Sequence, residues 1–345
     1  MKIFVAYLKD YFRNSSTKSL ILTLLFVTLL IFLNYTIGIE KRIRDIRPWP
    51  LSLMSFFFFY GFVLFFSWGV QYTFGRRSSP SGSLPAGSFT LSYKKRFLLL
   101  LLLAPLYFSF KMIHWDFSPI LPAGWQYPWD RYALITLQLP AKLLLLFLLL
   151  YACWKMEKDG QWNLAKSPDL AKTDLRVAGD PGFLSFFGLT LKKFNGWPYF
   201  LILLFLVPLI ALASTRPDFL HTYPKVKNIA FIGAYTTPVW PWQTLYEISY
   251  GLDFLSIELF FRGLLVIGLA RYAGEYAILP MAAFYCTIHF GKPLGECISS
   301  FFGGLALGVI ALRTRSIFGG LIVHLGLAWM MELGGWLGGL LLLAR

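Results

Sequence analysis

Long apolar blocks separated by short polar connections run the length of the chain. A helix needs roughly 20 consecutive apolar residues to cross a hydrocarbon core about 30 Å thick. Nine blocks approach or exceed that length: 20–37, 51–74, 97–113, 132–153, 197–213, 245–271, 276–290, 294–312 and 317–343. The seventh and eighth are short and tightly joined, so one of them is read as tilted or incomplete in an alternative count of eight. The first has too long an apolar core, and no small-x-small site after it, to read as a cleaved signal peptide. The pattern predicts an all-α fold, a polytopic transmembrane helical bundle of eight to nine spans.

Composition agrees with a lipid solvent. Of the 345 residues, 57% are hydrophobic and only 14% charged, with a mean hydropathy of +0.60; a soluble protein carries about a quarter charged residues. Lys and Arg divide unevenly between the two sets of connections, 19 on the N-terminal side and 11 opposite, with Lys142 and Arg262 inside spans. Positive-inside bias therefore places the N-terminus in the cytoplasm. The net charge of +15 is matched by anionic lipid headgroups, so membrane lipids are the expected partners and nucleic acid is not.

The connections carry little sign of a separate soluble domain. Residues 75–96, with a Ser/Pro/Gly run, read as a flexible loop, and 154–195 as a cytoplasmic loop with a short helix at best. Prolines, Tyr and Trp between Pro217 and Trp242 suit an interfacial lid or re-entrant stretch. Residues 1–195 are read as N-terminal transmembrane helices with their cytoplasmic loops, and 196–345 as the functional helical core. The three cysteines lack metal-finger or redox spacing, and Cys286 and Cys297 read as ordinary small buried residues. Glycine pairs 304/308, 334/338 and 335/339 have the small-x-x-x-small spacing that lets helices approach closely.

Ionisable residues inside apolar segments are costly and mark working sites by default. The sixth block holds Asp253, Glu258 and Arg262; in α-geometry Glu258 and Arg262, at i and i+4, share a helix face. Taken alone, that pair reads equally well as a structural ion pair. Glu247 is nearly aligned with Glu258 but about 16 Å further along the axis, near the interface, where contact with solvent or the lid suits it better than chemistry. His289 closes the seventh block, and His324 lies in a Gly-rich stretch of the ninth with Glu332 two turns further on. Each histidine alone could be a hydrogen-bonding core residue; together the four successive segments outweigh those separate readings.

Peptide hydrolysis in a membrane needs a carboxylate to activate water and donors to hold the tetrahedral oxyanion. Imidazoles can be the donors, or two His and a Glu can bind zinc or another divalent metal, here His289, His324 and Glu258, so a metal is an open alternative to none. Ser256 has no paired base or nucleophile motif to support it.

Ile257-Glu258-x-x-x-Arg262, then Tyr285-x-x-x-His289, then His324 in its Gly-rich helix resemble the CPBP family (CAAX protease and bacteriocin-processing, also called Abi). Its intramembrane peptidases include the type II CAAX prenyl endopeptidases. The family pattern is E-E-x-x-x-R, F-x-x-x-H and H-x-x-x-N or H-x-x-x-D on neighbouring helices of an eight-helix-like bundle. The resemblance covers residues 245–333. It implies an intramembrane endopeptidase with Glu258, Arg262, His289 and His324 as catalytic residues, either metal- or glutamate-dependent. A membrane-anchored peptide or protein is the implied substrate, and the bacterial inner (cytoplasmic) membrane the expected location.

Three positions depart from that pattern. Ile257 stands where the family has its first Glu, the one usually assigned to water activation; Tyr285 replaces Phe; Ala328 replaces the Asn or Asp of the third motif. Asp253 and Glu332, each one turn from a gap, are the candidate supporting acids. A count at about 1.5 Å per residue sets Glu258, His289 and Glu332 some 20 Å from their cytoplasmic helix ends but His324 only about 10 Å. Two further classes stay open: a non-catalytic member that binds a membrane peptide, favoured by the two lost motif residues, and a transporter or lipid-modifying enzyme; transport would be favoured by inverted repeats and broken helices in both halves, which the sequence does not show.

Overall fold

The computed structural model describes residues 2–75, 91–113, 115, 126–159, 182–192 and 194–343. Most of the 75–96 and 154–195 connections, and with them the loop readings made there, lie outside the described residues. Fourteen α-helices lie among the described residues: α1 Lys2–Asn14, α2 Thr17–Ile37, α3 Ile39–Asp45, α4 Trp49–Phe74, α5 Leu91–Met112, α6 Trp129–Asp159, α7 Phe183–Phe186, α8 Trp197–Ala213, α9 Pro217–Thr222, α10 Trp240–Glu258, α11 Ala270–Ala273, α12 Ile278–Thr287, α13 Leu294–Thr314 and α14 Phe318–Leu343. A π-helical segment, Leu259–Gly268, follows α10 directly, and 3₁₀ turns cover Lys225–Ala234 and Gly274–Ala277.

Among the described residues, five helices are long and apolar enough to cross a membrane: Thr17–Ile37, Trp49–Phe74, Trp129–Met156, Leu294–Thr314 and Phe318–Leu341. Their ends follow local chemistry. At the start of α2 the Ser16 hydroxyl accepts from the Ser19 amide, and at its end Gly38, with φ +70°, donates to the Asn34 carbonyl. Large apolar side chains face outward on such helices; Phe32, Phe58 and Leu144 are 62%, 64% and 61% exposed. Water would not tolerate an apolar surface of this extent, whereas lipid does. The chain has the helices and the surface of an integral membrane protein.

The seventh apolar block departs from the other eight. Its helix, α12, has ten residues, about 15 Å, and all ten are buried. It is apolar because protein surrounds it: α2, α4, α13 and the π segment pack against it. Its partner α13 is a full-length candidate span rather than a short one. A methyl group at Gly304 or Gly308 of α13 would meet Tyr285 or Met281 of α12, so those glycines set the close crossing.

The chain divides into two compact units that interleave along the sequence: Met1–Ile113, Leu148–Phe194 and Leu259–Phe318 in the first; His114–Phe147, Asn195–Glu258 and Gly319–Arg345 in the second. These cut across the boundary expected near residue 195, because long-range packing rather than chain order defines them. An aromatic cluster of Tyr60, Phe108, Phe260, Phe261 and Phe284 fills the first unit's core around α12, all five being 1% exposed or less. Its rings meet at 4.8–5.8 Å, most edge-on or tilted.

In the second unit, the stretch between Pro217 and Trp242 folds as α9 and a 3₁₀ turn. Ile229 and Ile232 of that turn pack with Tyr132 and Tyr246, while Phe219 and Tyr223 pack with Met331 of α14. Gly335 and Gly338 admit the backbone of this stretch and of Ser214 against α14, but Gly339 has open space and packs nothing closely.

Candidate active site

Glu258 is the last residue of α10, and its carboxylate is completely buried. It meets Nδ1 of His324 on α14 in an ion-pair contact. A buried carboxylate is expensive unless a proton donor faces it, and the imidazole supplies one. Gly320 lies one helical turn before His324, and a methyl there would run into the Glu258 carboxylate. So α14 offers the same carboxylate bare backbone and, a turn later, an imidazole. Phe254, one turn before Glu258, packs on the His324 ring with centroids 6.3 Å apart. Gly319 and Gly326 admit Tyr199 and Leu203 of α8 on another side of α14.

This contact removes the depth mismatch of His324. The count assumed an α-helix from Glu258 to Arg271, but that stretch is π-helical and then broken into α11. The Leu269 amide donates to the Leu264 carbonyl at 3.1 Å, an i→i+5 bond. A rise of 1.5 Å per residue does not apply there. Nor does a face count at 100° per residue carry across from Glu258 to Arg262, since α-geometry ends at Glu258.

Arg262, Tyr285 and His289 form a cluster in the first unit. Arg262, inside the π segment, is fully buried, and its guanidinium carbon sits 4.4 Å from the Tyr285 ring centroid. Tyr285 also stands edge-on to His289, with centroids 4.8 Å apart. Its backbone carbonyl lies 3.0 Å from His289 Nδ1. A carbonyl only accepts, which assigns the proton to Nδ1 and the lone pair of the neutral ring to Nε2. The motif aromatic thus holds the arginine through its ring and the histidine tautomer through its backbone. Gly304, beneath the ring, is what leaves room for it.

The two expected supporting acids have partners of their own. Asp253, half-buried, accepts the Ser256 hydroxyl at 3.2 Å. Glu332 accepts the amides of Lys225 and Val226, at 2.6 and 3.1 Å, and so ties the 3₁₀ stretch to α14. Glu247 lies beside Glu332. At the two departing positions, Ile257 is 9% exposed and Ala328 3%. Sequence reasoning missed Gly320, whose i, i+4 spacing to His324 was the available signal, and the double role of Tyr285. Among the described residues, no group of three or more His, Cys, Asp or Glu side chains is arranged to hold a metal ion. Glu258 and His324 alone give a divalent metal too few ligands.

Residues 242–330 match the family model of the Rce1-like type II CAAX prenyl endopeptidases. The chain resembles the CAAX proteases. The match takes in Glu258, Arg262, Tyr285, His289 and His324 and covers about a quarter of the chain. No curated protein and no solved structure matches. The resemblance is to a family of membrane peptidases, in keeping with the apolar, all-helical character of the described residues.

Proposed function

We propose that the chain is an intramembrane endopeptidase that hydrolyses a peptide bond of a membrane-associated substrate with water activated by Glu258. The buried Glu258–His324 pair, in a helix crossing that Gly320 keeps open, is the observation that supports this most. Glu258 takes a proton from water as the oxygen attacks the scissile carbonyl, then returns it to the leaving amine as the C–N bond breaks. His324, facing the carboxylate through Nδ1, orients it for both transfers. Arg262 and His289 supply positive charge and N–H groups for the oxyanion. With Nδ1–H committed to the Tyr285 carbonyl, His289 donates through Nε2 only as an imidazolium. Arg262 and His289 join Glu258 and His324 in one reaction because all four belong to the matched segment.

Residues 196–345 are the catalytic part in this reading, with Asp253 and Glu332 as positioning acids. No step runs through a metal, and metal analysis with chelator inhibition of the purified protein tests that choice against a zinc enzyme. The chain crosses the bacterial inner membrane eight or nine times with its N-terminus in the cytoplasm, as the excess of Lys and Arg on that side favours. Its partners are membrane lipids and a membrane-anchored peptide or protein. Ile257 and Ala328, both apolar and buried, favour a second reading, a non-catalytic relative that binds such a peptide without cutting it. Comparison of protein termini in membranes with and without the chain decides between them: a new substrate terminus that appears only with the active chain supports the peptidase, and none supports the scaffold.

A further inference from the structure

The last turn of α12 and the first turn of α13 bring two thiols together. Cys286 and Cys297 are both 0% exposed, and each points at the other's backbone. Cys286 Sγ donates to the Cys297 carbonyl at 3.4 Å, and Cys297 Sγ to the Cys286 carbonyl at 3.9 Å. The two thiols are also close neighbours of each other. Spacing along the chain gave no hint of this, because they stand eleven positions apart across a turn. The close crossing that Gly304 and Gly308 set places them side by side.

Two neighbours give the pair its significance. The Cys286 carbonyl that faces the Cys297 thiol also accepts the His289 amide, at 3.0 Å. The thiol pair therefore sits in the backbone turn that presents His289. On the outer side, Tyr35, 39% exposed, contacts the Cys297 thiol while its hydroxyl donates to the Lys292 carbonyl at 2.5 Å. The buried Cys297 thiol is thus one side chain, Tyr35, away from a partly exposed position. In the orientation proposed above, this end of α12 faces away from the cytoplasm, where disulfides persist.

We propose that Cys286 and Cys297 are an oxidisable dithiol, a modification site for small disulfide-donating molecules, and that its closure clamps the His289 turn of α12 to α13. One thiolate attacks a sulfur of the donor, forming a mixed disulfide and releasing one donor thiol. The second cysteine attacks the protein-bound sulfur of that mixed disulfide, forming the Cys286–Cys297 bond and releasing the other donor thiol. Two protein thiols are oxidised, one donor disulfide is reduced, and the two protons leave on the donor thiols.

The full-length chain in detergent tests this without any assay of peptidase activity. It is exposed to oxidised glutathione, quenched in acid, denatured, alkylated and mapped by mass spectrometry, with Cys153 of α6 as the reference thiol. The expected result is a peptide linked through Cys286 and Cys297, a fall from three alkylated cysteines to one, and full recovery with dithiothreitol. Hydrogen exchange at the His289 amide slows in the oxidised form. Three alkylated cysteines under conditions that oxidise a model dithiol, or linkage of Cys297 to a second copy of the chain, would overturn the site. Unchanged exchange at His289 in a fully linked sample would overturn the clamp.

Discussion

Replacing Gly320 by Ala puts a single methyl group where the Glu258 carboxylate now lies. Two opposing effects set the outcome. In a helix interior, Ala is better than Gly by about 0.5–1 kcal/mol. Against that, forcing a methyl into a packed interior costs about 1–3 kcal/mol. Displacing the carboxylate from His324 forfeits a charged hydrogen bond as well, on the order of 1.5–3 kcal/mol. The balance is a net loss of roughly 1.5–5.5 kcal/mol, the sum of the two costs less the helix gain. Gly339→Ala on the same helix is the control, because nothing lies within 4 Å of its added methyl. Thermal unfolding in detergent should show a lowered midpoint for Gly320→Ala and an unchanged or raised one for Gly339→Ala. Where the chain still folds, turnover should fall at least about tenfold, the equivalent of 1.4 kcal/mol in the barrier. If Gly320→Ala melted and turned over like Gly339→Ala, the close contact between α14 and Glu258 would be refuted.

Three further outcomes follow from the geometry. Glu332→Ala removes the acceptor of two backbone amides, so hydrogen exchange across residues 225–234 should quicken by at least about tenfold, given roughly 1.5–3 kcal/mol for a charged hydrogen bond; unchanged exchange would show that the tie carries no weight. Tyr285→Phe keeps the ring over Arg262 and should melt close to the parent chain, whereas Tyr285→Leu forfeits a cation–π contact of about 0.5–2 kcal/mol and should melt lower; equal midpoints for the two variants would contradict the stacking. Glu275, beside Arg313, has its pKa raised by burial, which the Arg313 charge only partly offsets. A carboxyl raised on folding contributes stability below its unfolded pKa and loses it as pH rises through the folded value. Melting of the parent chain should therefore drop across and just above the carboxylate range, and Glu275→Gln should flatten that slope; an identical slope in the variant would count against it.

The apolar blocks were plain in the sequence, and a helical segment stands at each of the nine. Hydropathy reports only that a segment avoids water, not whether lipid or protein replaces it. That is why the burial of the ten-residue α12 within protein is not legible in its own sequence. The site was legible as residues: Glu258, Arg262, His289 and His324 were named from their place inside apolar segments and from the motif. Their partners were not. The π segment defeats any count based on α-geometry, and it arises from backbone bonding that composition does not encode. Gly320, the Tyr285 carbonyl and the Cys286–Cys297 pairing depend on which helices meet. Glu332 filled a gap in the motif by spacing, yet in the fold it holds the backbone of Lys225 and Val226. The interleaving of the two units is likewise set by contacts far apart in the chain.

The assignment of water activation to Glu258 is tested most directly by Glu258→Gln. The amide keeps the shape of the carboxylate but cannot take a proton from water. Turnover of a membrane-anchored peptide by the purified, folded variant should fall by about 10²–10⁴-fold, the usual worth of a general base, while the parent chain cleaves. An undiminished rate in the Gln variant would contradict it.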